Sequence, residues 1–117
     1  MSVRRGDFLL NAPFASGRGS KTRPMLVVQN DTNNARMANT ILVLITTNLR
    51  RSAEPTQVLI DVTTPEGQQS GLVQTSVVSC ENLLTAVQAD ILRTIGHLPD
   101  ALMRQVDAAL KVSLGLP

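Results

Sequence analysis

Short apolar segments separated by polar turns occupy most of the chain, and a longer amphipathic segment closes it. Strands are predicted where Val, Leu and Ile are concentrated or alternate with polar residues, at 8–12, 25–28, 40–47, 58–61 and 72–80. Residues 25–28 are apolar on both faces and should be central in a sheet. Shorter extended segments are predicted at 83–86 and 94–96, a helical turn at 88–92, and polar turns at 29–37 and 63–71.

The apolar period changes from two residues to about 3.6 between Pro99 and Val112. Pro99 suits a first helical turn and Gly115 a helix end. One stripe of this helix holds Leu102, Met103, Val106, Ala109, Leu110 and Ser113, and the opposite stripe holds Asp100, Arg104, Asp107 and Lys111. Many short strands with one closing helix predict a mainly β (α+β) fold, a small barrel with a C-terminal α-helix, formed as a single domain over residues 1–117.

Composition narrows the chemistry of this domain. The 117 residues include two Phe and neither Trp nor Tyr, so the core is aliphatic and base stacking on aromatic side chains is nearly excluded. Cys80 is the only cysteine; it is expected to be buried and inert, in a reducing compartment. The early apolar run Phe8-Leu9-Leu10 is too short for a signal peptide or a membrane span, so a soluble cytoplasmic protein is expected.

Charge is distributed unevenly along the chain. Residues 1–51 contain eight Lys or Arg against two Asp, a balance of +6, whereas residues 52–117 contain three basic and seven acidic side chains, a balance of −4. Charge of one sign in half of a chain points to a polyanionic partner. Chance scatter over a solvated surface is the alternative.

Several common kinds of site are missing from the sequence. No Cys/His cluster has zinc spacing, no segment matches a phosphate-binding loop, and Gly17-Arg18-Gly19 is too short for a dinucleotide motif. His97 precedes the predicted helix and is expected to be structural or exposed rather than catalytic. No metal or other cofactor is therefore predicted.

Basic residues and hydroxyls remain as candidate chemistry. Arg23 follows a glycine-bearing basic loop and precedes Pro24, which holds it out of the α region at the start of a strand. If strands 25–28 and 40–47 pair antiparallel, Arg23 and Thr46 meet at one mouth of the barrel and form a phosphate site. The neighbouring polar groups are Arg18 and Lys21 on the loop and Thr47, Asn48, Arg50 and Arg51 after the strand.

The chain resembles the MazF/PemK toxins, the mRNA interferases of type II toxin–antitoxin systems, over nearly its whole length. The combination of an Arg-Pro step, an apolar strand, Asn-Asp and a later Ile-Thr-Thr carries most of the resemblance. The matching segments are Arg5-Gly6-Asp7, 23–31, Ile45-Thr46-Thr47, 55–58, and 95–98 leading into 106–110.

This resemblance implies an SH3-like barrel of the CcdB/PemK type, a homodimer, and a cognate MazE-like antitoxin. It also implies metal-independent cleavage of single-stranded RNA, with mRNA as the expected target, leaving a 2′,3′-cyclic phosphate and a 5′-OH. Arg23 and Thr46 match the family's catalytic positions. The residues predicted to bind RNA are Arg18, Lys21, Thr47, Asn48, Arg50, Arg51 and Ser76.

Two departures from the family pattern affect the expected site. Ser16-Gly17-Arg18 stands where the family usually has Gly-Ser-Glu, and Thr75 replaces the acid that commonly precedes the serine at Ser76. A guanidinium in place of a carboxylate either strengthens RNA binding or removes a helper in catalysis. A CcdB-like gyrase inhibitor, whose Trp-Gly-Ile ending is absent here, and a degenerate homologue that only binds antitoxin are the alternatives.

Overall fold

Six antiparallel strands form one curled sheet in the computed structural model, which describes residues 2–11 and 22–117. The sheet order is β4-β5-β3-β2-β1-β6. The predicted mainly β fold with a C-terminal helix is confirmed, and the curled sheet forms a half-barrel. The strands are β1 Asp7–Asn11, β2 Arg23–Val27, β3 Asn39–Thr46, β4 Gln57–Ile60, β5 Ser76–Val87 and β6 Arg93–His97.

The two faces of the sheet bury separate aliphatic clusters. One face packs against helix α3, Asp100–Leu114, through its buried Met103, Val106 and Ala109. The other face buries a smaller cluster of Leu9, Met25, Val27 and Leu42, all fully buried. Strand β2 contributes to both clusters, as expected for the central strand that its two-sided apolar sequence predicted.

Helix α3 follows the predicted pattern at both ends and along its length. It begins after Pro99 and ends at Gly115, whose φ of 68° is left-handed and suits glycine. The buried residues of the helix all belong to the predicted apolar stripe. Its outer side is tied to the N-terminus, because the Arg5 Nη2 donates to Asp107 Oδ1 at 2.5 Å and its Nε donates to the Val28 carbonyl at 2.8 Å.

Three local predictions need correction. The polar segment 29–37 forms a short helix, α1 Asp31–Arg36, because Asn30 caps it by accepting a hydrogen bond from the Asn33 N–H. The turn at 63–71 contains helix α2, Pro65–Gln68, capped in the same way by Thr64. The strand predicted at 72–80 begins only at Ser76, and Val73 is 99% exposed. Strand β5 continues through the predicted extension at 83–86, followed by a 3₁₀ turn at Gln88–Asp90.

The expectations for Cys80 and His97 agree with their surroundings. Cys80 is fully buried, and burial raises the pKa of its thiol to about 11. His97 Nδ1 lies 3.0 Å from Asp7 Oδ1 on the neighbouring strand, a contact at the β1–β6 edge. No helix among the described residues is long and apolar enough to cross a membrane.

Candidate active site

Arg23 and Thr46 come together through the pairing of β2 with β3. The strands are antiparallel, with Met25 opposite Leu44 and Leu26 opposite Val43. Continuing this register by two residues places Arg23, the first residue of β2, across from Thr46, the last residue of β3. The predicted pairing is therefore confirmed, and it brings a guanidinium and a hydroxyl to the same end of the sheet.

Both side chains are available at the surface. Arg23 is exposed and Thr46 is half-buried, and both line one cleft of about 360 Å³. Within residues 2–11 and 22–117, no acceptor forms a hydrogen bond with the Arg23 guanidinium. We call this space the Arg23 cleft; its walls are Arg23, Leu44, Ile45, Thr46, Asn48, Arg51, Gln57, Ser79 and Asn82.

The loop after β3 is organised by side-chain to backbone hydrogen bonds. The Thr46 Oγ1 accepts from the backbone N–H of Asn48 at 3.1 Å, and the Asn48 Oδ1 accepts from the backbone N–H of Arg50 at 3.0 Å. Such bonds fix the direction in which a loop leaves a strand. They turn Asn48 into the Arg23 cleft and leave Thr47 and Arg50 exposed outside its lining.

Three polar residues of the cleft were not predicted from the sequence: Gln57, Ser79 and Asn82. Gln57 and Ser79 are opposite each other on β4 and β5, and Ser79 is also opposite Leu44 of β3. The pairing of β3 with β5 then shifts register, so that Val43 pairs with Leu83. This bulge brings Asn82 to the same side as Ser79, and the Asn82 Nδ2 donates to the Ser79 Oγ at 2.8 Å.

Arg51 is held by two carboxylates at the cleft wall. Its Nε and Nη2 donate to Glu54 at 2.9 and 2.8 Å, and Nη2 also donates to both oxygens of Glu81 at 2.5 and 2.7 Å. Hydrogen bonds from Arg51 hold the pKa of Glu54 below its usual value, and those to Glu54 and Glu81 raise the pKa of Arg51. We call Arg51, Glu54 and Glu81 the Arg51 cluster.

The remaining predicted RNA-binding residues lie outside the cleft or outside the described residues. Arg18 and Lys21 belong to the segment 12–21, which the structure does not describe. The structure does not bring Ser76 to the cleft. It is 2% exposed, it pairs with the core residue Ile60, and its hydroxyl donates to the Gln74 carbonyl at 2.8 Å. Its side chain is on the core face because alternation along β5 puts Ser76 on the same side as Val78 and Cys80, which belong to the core cluster packed against α3.

The Arg23 cleft combines groups that suit a phosphodiester. The Arg23 guanidinium supplies a fixed positive charge and a fork of donors, and the Thr46 hydroxyl can both donate and accept. No group of three or more His, Cys, Asp or Glu side chains in the described part of the chain could hold a metal ion.

Comparisons with known proteins identify the family to which this fold belongs. The family model of PemK-like, MazF-like toxins of type II toxin–antitoxin systems matches residues 4–114, and the chain belongs to this family. It is 34% identical over 118 residues to Endoribonuclease EndoA of Bacillus subtilis (strain 168), covering 99% of this chain and 97% of that protein.

Solved structures extend the agreement to the whole fold. An endoribonuclease from a Mycobacterial species, determined in complex with its cognate antitoxin, superposes with a TM-score of 0.80 at 27% identity over 99% of this chain and 98% of that one. A MazE–MazF complex from Deinococcus radiodurans has a TM-score of 0.76 over the full length of both chains at 18% identity, a likeness of fold alone.

Proposed function

We propose that this protein is an endoribonuclease toxin that cleaves single-stranded RNA in the Arg23 cleft, with mRNA as its target. The observation that carries the proposal is the placement of the Arg23 guanidinium beside the Thr46 hydroxyl in an open cleft. Its relatives at 34% and 27% identity are endoribonucleases, which supports the same activity here.

The proposed reaction uses the 2′-OH of the RNA as its nucleophile. The 2′ oxygen attacks the adjacent phosphorus, the bond from phosphorus to the 5′ oxygen breaks, and a 2′,3′-cyclic phosphate and a 5′-OH result. The proton lost by the 2′-OH is matched by the one that the 5′ oxygen gains. Because the nucleophile is part of the substrate, the reaction does not require a metal-bound water.

Arg23 and Thr46 have different roles in this scheme. Negative charge builds up on the non-bridging oxygens as the phosphorus becomes five-coordinate, and the Arg23 guanidinium stabilises it. A guanidinium is a very weak acid and a poor proton donor, so charge stabilisation is the main contribution of Arg23. The Thr46 hydroxyl, already directed by its bond to the Asn48 N–H, orients the reacting groups.

Binding of the flanking nucleotides is assigned to polar residues around this pair. Asn48 lines the cleft, and Thr47 and Arg50 are exposed beside it on the loop after β3. Arg18 and Lys21 complete the proposed set from sequence, on the basic loop that precedes Arg23. Gln57, Ser79 and Asn82 add amide and hydroxyl groups that suit base edges better than phosphates.

Control by an antitoxin and formation of a homodimer are part of the same proposal. A cognate antitoxin is bound to the Mycobacterial relative, which supports a protein antitoxin for this chain. Exposed Leu83, Val87 and Leu92 give β5 and the segment after it an apolar surface that supports self-association. The proposed place of action is the cytoplasm, where translated mRNA is found.

The decisive experiment is cleavage of a long RNA by the purified protein in excess EDTA. The cut positions would be mapped and the chemistry of both new ends determined. We expect discrete cuts with cyclic phosphate on one side and 5′-OH on the other. Absence of cutting, or cuts with 5′-phosphate ends, would overturn the proposal.

A matched variant links that activity to the site. Arg23→Ala should lower the cleavage rate about 10²- to 10³-fold, which is the usual cost of removing one donor from a developing oxyanion. The fold should be unaffected because Arg23 is exposed. Growth arrest that persists in Arg23→Ala cells, with inhibited gyrase in place of cleaved RNA, would favour the CcdB-like alternative.

A further inference from the structure

The Arg51 cluster sets Arg51 apart from the other arginines near the Arg23 cleft. We propose that Glu54 and Glu81 prevent Arg51 from binding phosphate and thereby confine the RNA backbone to the Arg23 side of the cleft. The two carboxylates are then specificity-determining residues, which select one path for the strand. This inference rests on the proposed function.

The geometry leaves Arg51 no unengaged pair of donors for a two-pronged contact with a further anion, and its Nη1 is the one guanidinium nitrogen that has no partner among the described residues. The Nε and Nη2 donors that a phosphate would use for a two-pronged contact are both engaged with Glu54, at 2.9 and 2.8 Å. Nη2 is shared with both Glu81 oxygens. Glu81 is fixed in turn by the Gln57 Nε2, which donates to its Oε1 at 3.1 Å.

The net charge of the Arg51 cluster also disfavours the binding of phosphate. One guanidinium and two carboxylates leave the Arg51 cluster with a net charge of −1, and the lowered pKa of Glu54 keeps that carboxylate ionised near neutral pH. A phosphate placed here would meet a negative surface. At Arg23 it would meet an arginine that forms no carboxylate pair with any described residue.

The two walls of the cleft therefore differ in their affinity for RNA phosphates. If the phosphates of the strand follow Arg23 and the loop after β3, their negative charges lie next to positive side chains. A strand whose phosphates follow Arg51 is disfavoured by repulsion, and rejection of a wrong arrangement is an ordinary source of specificity. Neutralising the carboxylates should free Arg51 and open the second path.

The test measures how salt affects the binding of a single-stranded RNA that carries 2′-O-methyl groups and cannot be cleaved. Each added phosphate contact steepens the slope of log K against log salt concentration by about 0.7. Between ~50 and ~200 mM salt, a variant with one more contact should therefore lose about threefold more affinity than the wild type. We expect this change in Glu54→Gln/Glu81→Gln. A control that removes the same two charges outside the cleft, Glu66→Gln/Asp100→Asn, should keep the wild-type slope.

Arg51 itself supplies the second half of the test. Adding Arg51→Gln to the Glu54→Gln/Glu81→Gln variant should restore the wild-type slope, whereas Arg51→Gln alone should not change it. Cleavage maps should show added cut sites in the double variant and not in its control. Equal slopes for the double variant and the control, or a shallower slope for Arg51→Gln alone, would overturn the inference.

Failure of this inference can be told apart from failure of the proposed function. If Arg23→Ala weakens RNA binding and cleavage but the double variant has the control's slope, only the role of Glu54 and Glu81 is wrong. If the wild type neither binds nor cuts RNA, the proposed function is wrong and the inference is overturned with it.

Discussion

Replacing Thr46 with valine removes one hydroxyl from the Arg23 cleft and changes little else. Valine has nearly the same shape as threonine, and its β-branched side chain suits the end of a strand. The lost hydroxyl has two functions in our account. It accepts from the Asn48 N–H at 3.1 Å, and it orients the reacting phosphodiester.

The two functions predict effects of different size. The Asn48 N–H is exposed and can bond to water instead, so the stability cost should be about 0.5–1.5 kcal/mol. For 117 residues the unfolding entropy is about 0.25 kcal/mol per kelvin, and the midpoint temperature should fall by about 2–6 °C. A hydrogen bond to a charged phosphate contributes about 1.5–3 kcal/mol, so cleavage should slow by about 10- to 100-fold.

The assay is single-turnover cleavage of an RNA with one cut site, measured beside thermal unfolding of the same preparations. Thr46→Ser keeps the hydroxyl and should retain most of the activity, although it loses the methyl group. Cleavage by Thr46→Val at the wild-type rate would refute the role of the hydroxyl. Equal loss in Thr46→Ser, which keeps the hydroxyl, and Thr46→Val, which lacks it, would also contradict the role of the hydroxyl.

Three further predictions concern the scaffold. Gly96→Ala should cost about 3 kcal/mol, seen as a lower midpoint of thermal unfolding, because its Cβ would lie 2.3 Å from the Ser70 backbone. Hydrogen bonds from Thr63 lower the pKa of Asp61. The ionised Asp61 therefore stabilises the folded protein fully above the pKa of the unfolded state, and this contribution is lost as the pH falls through the pKa of the folded state. In Asp61→Asn the free energy of unfolding should depend less on pH below about 4. Native Cys80, buried with its pKa raised to about 11, should resist iodoacetamide at neutral pH.

Each of these has a control or a contradicting result. Gly115 has a left-handed φ of 68°, and an added Cβ would have nothing within 4 Å. Gly115→Ala should therefore lower the free energy of unfolding by only about 1–2 kcal/mol. If Gly96→Ala lowers it by the same amount, the close contact at Gly96 is not responsible. An acid limb unchanged in Asp61→Asn would contradict the titration argument. Cys80 should label promptly in denaturant, and equally fast labelling of the native protein would contradict its burial.

The sequence was sufficient for the parts of the site that depend on regular pairing. Arg23 and Thr46 were placed together because consecutive antiparallel strands bring the start of one beside the end of the next. The two apolar segments were enough to predict that these strands pair, and the structure supplies the register, with Met25 opposite Leu44. The amphipathic period of α3 likewise predicted which of its residues are buried.

The rest of the cleft depends on irregular structure that periodicity does not encode. Asn82 and Ser79 would be on opposite faces of a regular strand, and only the bulge in β5 brings them together. Ser76 is different, since regular alternation along β5 is enough to place it on the buried face of Val78 and Cys80 and away from Ser79. Helices α1 and α2 were missed because they are short and depend on single capping residues, Asn30 and Thr64.

Counting charges along the sequence also overestimates the positive charge that is available to bind RNA. The first 51 residues carry a balance of +6 in sequence, but two of their arginines are paired with carboxylates from the acidic second half. Arg5 is bonded to Asp107, and Arg51 to Glu81 as well as to its neighbour Glu54. Long-range folding thus cancels charge that a linear count assigns to the partner. Of the two arginines that line the Arg23 cleft, Arg51 is paired with carboxylates and Arg23 is paired with none of those described, so in our proposal Arg23 carries most of the phosphate binding there and the carboxylates at Arg51 direct the path of the strand.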